Sequence, residues 1–128
     1  MDLAKIKEVT ICSSSKFYAT AQQVASELED CGVVVHTPRF DFDEELVQVS
    51  TEDKIQLTRE FLRKIHRSDA IYVVAENGYT GSSVCIEVGY ASALGKVVIL
   101  SESPTEGAIA ALANTVIDTD KFPSELRK

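Results

Sequence analysis

Two runs in this chain have no polar face. Ala70-Ile71-Tyr72-Val73-Val74-Ala75, and Val97-Val98-Ile99-Leu100 after Lys96, are apolar almost throughout. A strand with one wetted face alternates apolar and polar residues, so runs this short and this apolar suit strands covered on both sides. Covering both faces of a sheet requires two layers of helices. Helical spacing does reappear between the strand-like runs, which predicts a parallel sheet with helices above and below.

The other elements fall into line around these runs. Glu8 to Cys12 is a short β-prone segment that ends in Ser13-Ser14-Ser15. Lys16 to Cys31 carries a helical stripe through Phe17, Ala21, Val24, Ala25 and Leu28, with Gly32 as a stop. Val33 to Thr37 is β-branched and ends at Pro38; Arg39 to Ser50 is irregular and acidic. Ser50 or Thr51 can cap a helix that runs to about Arg67 through Ile55, Leu57, Phe61, Leu62 and Ile65. Beyond the run at Ala70–Ala75 and the turn E-N-G-Y-T-G, a helix from about Ser82 to Leu94 closes at Gly95. Lys96–Leu100 is the next strand. A short helix near Glu106–Ala113 and a strand at Thr115–Asp118 follow, and the tail K-F-P-S-E-L-R-K reads as charged and frayed.

This alternation predicts an α/β fold spanning residues 1–128 as a single domain. The expected sheet is doubly wound, five-stranded and parallel, in the order 2-1-3-4-5, with helices on both faces. Ligands of such sheets sit beyond the carboxyl ends of the strands, where the strand order reverses. Two loops therefore matter most: Ser13 to Lys16, and Glu76 to Ser83.

Charge and cysteine usage narrow the partners. A net charge of −7 argues against nucleic acid and anionic membrane, which need clustered Lys and Arg. It leaves room for a small anion held by backbone N–H groups at a helix start. The three cysteines Cys12, Cys31 and Cys85 make neither a disulfide framework nor a zinc site, and the N-terminus carries no apolar signal stretch. The expectation is a cytoplasmic protein without a membrane span. His36 and His66 lack companions at ligand spacing, so no metal is expected. Neither the Walker pattern nor G-x-G-x-x-G is present, and no cofactor is expected.

Within the two loops the candidate residues each have a plain and a functional reading. Ser13, Ser14 and Ser15 either cap the helix that follows or hold a phosphate or sugar hydroxyl. Tyr18 opens that helix and can face the cleft. Tyr79 can stack on a planar ligand or simply face solvent, whereas Tyr90 reads as packing. The acidic run Asp41 to Glu45 is either a solvated loop or a flank of the site. Glu87 lies about a turn and a half into its helix, among small and apolar neighbours such as Ser83, Val84 and Ala91. It is either an ordinary surface glutamate or a carboxylate placed to meet electron-poor carbon.

A resemblance bears on that choice. The segment G-S-S-V-C-I-E-V-G-Y-A-S-A-L-G-K-V-V (Gly81–Val98) resembles the signature of the nucleoside 2-deoxyribosyltransferase family, whose relatives include nucleotide N-hydrolases and CMP-type N-glycosidases. R-S-D-A-I-Y-V-V (Arg67–Val74) resembles the family's preceding strand, and Ser13 to Tyr18 its first loop. The resemblance implies that Glu87 is a nucleophile toward C1′ of the sugar. With it, Ser13, Ser14, Ser15, Gly81, Ser82 and Ser83 are expected to hold the sugar or 5′-phosphate of a nucleoside or nucleotide, with Tyr18 and Tyr79 added as binding candidates from their loop positions, and the resemblance implies a homo-oligomer. The segment Ala108–Leu112 and Asn114 are where a neighbouring copy would contribute. Two positions depart from the pattern, with Phe61 and Gly81 standing where the family commonly has Asp. Those acids serve the departing base, so a non-catalytic nucleotide-binding module is the alternative expectation.

Overall fold

The computed structural model describes residues 2–40 and 50–127. Its strands are β1 (Glu8–Ser13), β2 (Val34–His36), β3 (Ala70–Val74), β4 (Val97–Leu100) and β5 (Thr115–Val116). They form one parallel sheet in the order β2-β1-β3-β4-β5, as the alternation predicted. The helices are α1 (Tyr18–Asp30), α2 (Thr51–Arg67), α3 (Ser82–Ala93), α4 (Gly107–Leu112) and α5 (Phe122–Arg127).

Successive residues of each strand point to opposite faces, and the two resulting sets build two cores. Val9 and Ile11 of β1, Ala70, Tyr72 and Val74 of β3, and Ile99 of β4 pack with Ala21, Val24, Ala25 and Leu28 of α1 and with α5. Cys12, Ile71, Val73, Val98 and Leu100 face the other way, onto Ile65 of α2, Val84, Val88 and Ala91 of α3, and Ile109 of α4. Two-sided burial is thus why β3 and β4 read as unbroken apolar runs.

Helix ends follow local chemistry. The Ser50 hydroxyl accepts from the Asp53 N–H at 3.2 Å and caps α2, and Glu52 and Asp53 favour that positive end. Glu106 caps α4 by accepting from the Ala108 N–H. Helix α1 begins later than its apolar stripe suggested, because Ser15–Phe17 forms a 3-10 turn capped by Ser14.

The expected frayed tail is not what the chain forms. Phe122, Pro123 and Leu126 are buried in α5. The Phe122 ring stacks on Tyr72 with centroids 4.0 Å apart and planes 5° off parallel. The Tyr72 hydroxyl donates to the Ile117 carbonyl at 2.7 Å. Burial, with Asp118 and Asp120 nearby, pushes the Tyr72 phenol well above its usual range. Asn114 is also occupied within its own sheet. Its Oδ1 accepts from the Val98 N–H and its N–H donates to the Val98 carbonyl, both at 2.8 Å, which locks β5 onto β4. The acidic run Asp41–Glu45 lies outside the described residues.

Replacing Phe122 by Ala removes the ring that covers Tyr72. The expected loss is about 3–5 kcal/mol of folding stability, read from the urea midpoint. A loss no larger than that of an exposed Leu112→Ala control would mean the tail helix is dispensable.

Candidate active site

Strands β1 and β3 end side by side, with Ser13 paired to Val74. The chain leaves the sheet in opposite directions here, and a cleft opens between the two loops. A cavity of about 310 Å³ fills it, within the size range of small-molecule sites. Its lining brings together the expected nucleophile and substrate-binding residues, Ser13, Ser14, Ser15, Tyr18, Tyr79, Gly81, Ser82, Ser83 and Glu87, whereas Tyr90, Ala108–Leu112 and Asn114 lie outside it. The far wall comes from α2, through Lys54, Leu57, Thr58, Glu60, Phe61, Leu62 and Lys64, and from Pro38 and Arg39 after β2.

Glu87 is half-buried, with Val84 and Val88 of the same helix pinned to the sheet on either side. Its partner below is Cys12, which points from β1 into the same helix layer. The buried Cys12 thiol lies close enough to the Glu87 carboxylate for the two to interact. Burial first, then the carboxylate's negative charge and its interaction with the thiol, hold the thiol pKa well above its ordinary value. Cys12 is therefore a neutral thiol at physiological pH, able to act as a weak donor beside the carboxylate. Sequence alone did not single out Cys12, because its role depends on which face of β1 it occupies.

The turn that carries Tyr79 is firmly built. Asn77 and Gly78 both have positive φ, 54° and 81°, and Glu76 and Tyr79 exchange backbone hydrogen bonds across them. This is the geometry that Asn-Gly favours in two-residue turns. Gly78 donates its N–H to Glu102 and accepts from both the N–H and the hydroxyl of Thr105. A Cβ at Gly78 would lie 2.5 Å from the Thr105 methyl, so glycine is required. At the other end Glu76 accepts from the Thr20 hydroxyl at 2.8 Å. The Tyr79 ring meets Phe17 edge-on at 5.9 Å, with the Lys16 ammonium 4.4 Å from its centroid. Tyr18 is held likewise against Phe40.

Two kinds of polar group face the cavity from the loops. The Ser14 hydroxyl accepts from the Lys16 N–H and Ser13 donates to the Ser14 carbonyl, so these two hydroxyls brace the loop as well as line the cleft. Helix α3, by contrast, starts without a side-chain cap. Its first residues line the cavity, and the N–H groups of such a first turn have no partner within their own helix. Gly81, just before it, sits at φ 100° and ψ 154°, a region almost confined to glycine. An Asp there would strain the backbone, while its Cβ would meet Ser14 only at ordinary contact distance, 3.4 Å from the Ser14 Cβ. The departure at Gly81 thus has a physical basis in this loop. Phe61 fills the other departing position as part of the cavity wall, with the Lys64 ammonium 5.8 Å from its ring.

Residues outside the cleft have plainer roles. Tyr90 packs against the α2–α3 core, His36 pairs with Glu8, and His66 is exposed. None of the helices among the described residues is long and apolar enough to cross a membrane.

The family model for nucleoside 2-deoxyribosyltransferase matches residues 13–123. Among solved structures, a 2-deoxyribosyltransferase from Bacillus psychrosaccharolyticus is similar at TM-score 0.70 and 22% identity, over 91% of this chain and 90% of that one. A CMP N-glycosidase from Clostridium botulinum matches at TM-score 0.60 and 19% identity, over 94% and 98%. A conserved protein from Enterococcus faecalis matches at TM-score 0.65 and 11% identity, over 95% and 98%. At these identities the likeness is one of fold. No curated protein sequence matches the chain.

Restoring the family acid by Gly81→Asp is expected to cost about 1–3 kcal/mol from backbone strain, measured by chemical denaturation. A variant as stable as the wild type would show that the loop accepts a side chain at this position.

Proposed function

The chain belongs to the nucleoside 2-deoxyribosyltransferase family, and we propose that it cleaves the N-glycosidic bond of a deoxynucleoside or its 5′-phosphate through Glu87. The observation that carries this is the placement of the half-buried Glu87 carboxylate, beside a buried thiol, at a cavity beyond the ends of β1 and β3. The similar proteins support the same chemistry, one being a 2-deoxyribosyltransferase and another a CMP N-glycosidase.

Glu87 Oε attacks C1′ as the bond from C1′ to the base nitrogen breaks, and the bonding electrons leave with the base. Positive charge builds on the sugar before the new bond is complete, and a carboxylate stabilises that charge as it approaches. The product of this half-reaction is a glycosyl ester on Glu87. Water or a second base then attacks C1′ and regenerates the free carboxylate. The uncapped start of α3 and the serines at 82, 83 and 13–15 take the 5′ end of the sugar, where N–H groups and the helix dipole favour an anion. Tyr79 and Tyr18 border the sugar and base. Ile86 is 62% exposed at the cavity rim, and a second copy of the chain closing over it would complete the site. Free thiols and the substrate class fit a reducing, cytoplasmic setting.

A second reading is favoured by Phe61 and Gly81, which remove the acids that relatives direct at the base: a module that binds a nucleotide without cleaving it. Chromatography decides between them. Incubation with a panel of deoxynucleosides and 5′-monophosphates, with and without acceptor bases, is expected to release free base. Glu87→Ala should lower that rate by about 1,000-fold or more. Thermal stabilisation by the panel without any base release would support the binding module. Cys12→Ala should cost about tenfold in kcat/KM through the lost interaction of the thiol with the carboxylate, and Cys12→Ser should restore part of it. An unchanged rate in Cys12→Ala would remove the thiol from the account.

A further inference from the structure

A departing base carries away an electron pair and needs a proton. The two positions where relatives hold acids are Phe61 and Gly81 here, which turns attention to the other proton-bearing groups of the cavity wall. The orientation of the substrate limits where to look. With C1′ at Glu87 and the 5′ end toward the serine loops and the start of α3, the α2 wall of the cavity is left for the base, beside Tyr18 and Tyr79. That wall offers Leu57, Phe61 and Leu62 as flat or apolar surface, which suits the faces of a base. Set into the same wall is Lys64.

Lys64 is half-buried, and its ammonium donates to the Thr37 carbonyl at 3.0 Å. That bond anchors it to the loop after β2 and leaves two further N–H donors. We infer that Lys64 is the general acid of this cleavage, passing a proton from Nζ to an acceptor atom of the leaving base. The inference rests on the proposed cleavage at Glu87. The proton leaves Nζ as the C1′–N bond breaks, giving a neutral amine and a neutral base. Lys64 recovers a proton in the second half-reaction, from the water or incoming base that attacks C1′. Other cavity residues fit the task less well. Arg39 holds its protons at any accessible pH. Lys54 is exposed, and Glu60 is exposed with its carboxylate engaged by Gln56.

The electrostatics support the assignment. Burial lowers the Lys64 pKa most, Glu60 one turn away opposes this, and Arg39 and Arg67 add to the lowering. Lys54 and Glu87 share the cavity with it. An ammonium with a lowered pKa transfers its proton more readily near neutral pH. The acid form exists below that pKa, so cleavage that needs the proton weakens as pH rises through it.

The test compares two substrates in wild type, Lys64→Met and Lys64→Arg. One is the best ordinary deoxynucleoside or monophosphate from the panel. The other is its 7-methyl-2′-deoxyguanosine counterpart, whose cationic base departs neutral and needs no proton. Both variants should lose about 100-fold or more on the ordinary substrate, the usual scale of general-acid catalysis, and stay within a few-fold of wild type on the methylated one. Lys64→Arg keeps the charge, so its failure on the ordinary substrate isolates proton transfer from electrostatics. The alkaline fall in kcat/KM should be present with the ordinary substrate and absent with the methylated one. Equal losses on both substrates in variants with wild-type melting curves would overturn the role, as would no loss on either. A wild type inactive on both substrates would overturn cleavage itself and the role of Lys64 with it.

Discussion

Burial of a parallel sheet on both faces is the constraint from which the rest of this molecule follows. It forces the apolar runs of β3 and β4, and it divides each strand's residues between two helix layers. It also sends the chain out of the sheet in opposite directions after β1 and β3. A cleft at that point is a consequence of topology. What fills the cleft is a matter of side chains, and here the alternation of β1 decides it. Ile11 belongs to the α1 layer and Cys12 to the α3 layer. A shift of one residue in β1 would exchange them and leave Glu87 over a hydrocarbon.

The site combines rigid and polar parts in a definite division of labour. The Asn77-Gly78 turn is tied to Thr105 and Glu102 on one side and to Thr20 through Glu76 on the other. Cross-bracing of this kind holds the turn that carries Tyr79 and leads into Gly81. The positive φ of Gly81 brings the uncapped start of α3 against the Ser13–Ser15 loop. An acid at that position would have to adopt the same positive φ, which strains any residue with a side chain. The glycine in place of the family acid and the strained backbone of this loop therefore go together.

Much of this was legible in the sequence. Strand order, two-sided helix packing, and the gathering of Glu87 with both loops follow from periodicity and from the topology it implies. Three features were not legible, for a common reason. The tail reads as frayed because its residues are charged locally, yet Phe122 is held by Tyr72, far away in sequence. Cys12 looks like an isolated thiol until the face of β1 it occupies is known. Lys64 looks like one of several charged residues on an exposed helix until the Thr37 carbonyl and Phe61 are seen beside it. Each depends on contact between segments distant in the chain. Local patterns report propensity and periodicity but not such partners.

The proposed chemistry turns on a covalent bond between Glu87 and the sugar. The most direct measurement is intact-protein and peptide mass spectrometry on the wild-type enzyme, acid-quenched during turnover. The account predicts a deoxyribosyl (or deoxyribose phosphate) adduct on the peptide carrying Glu87, appearing with base release and discharged by water or acceptor base. Base release with the protein mass unchanged, or an adduct on any other residue, would contradict it.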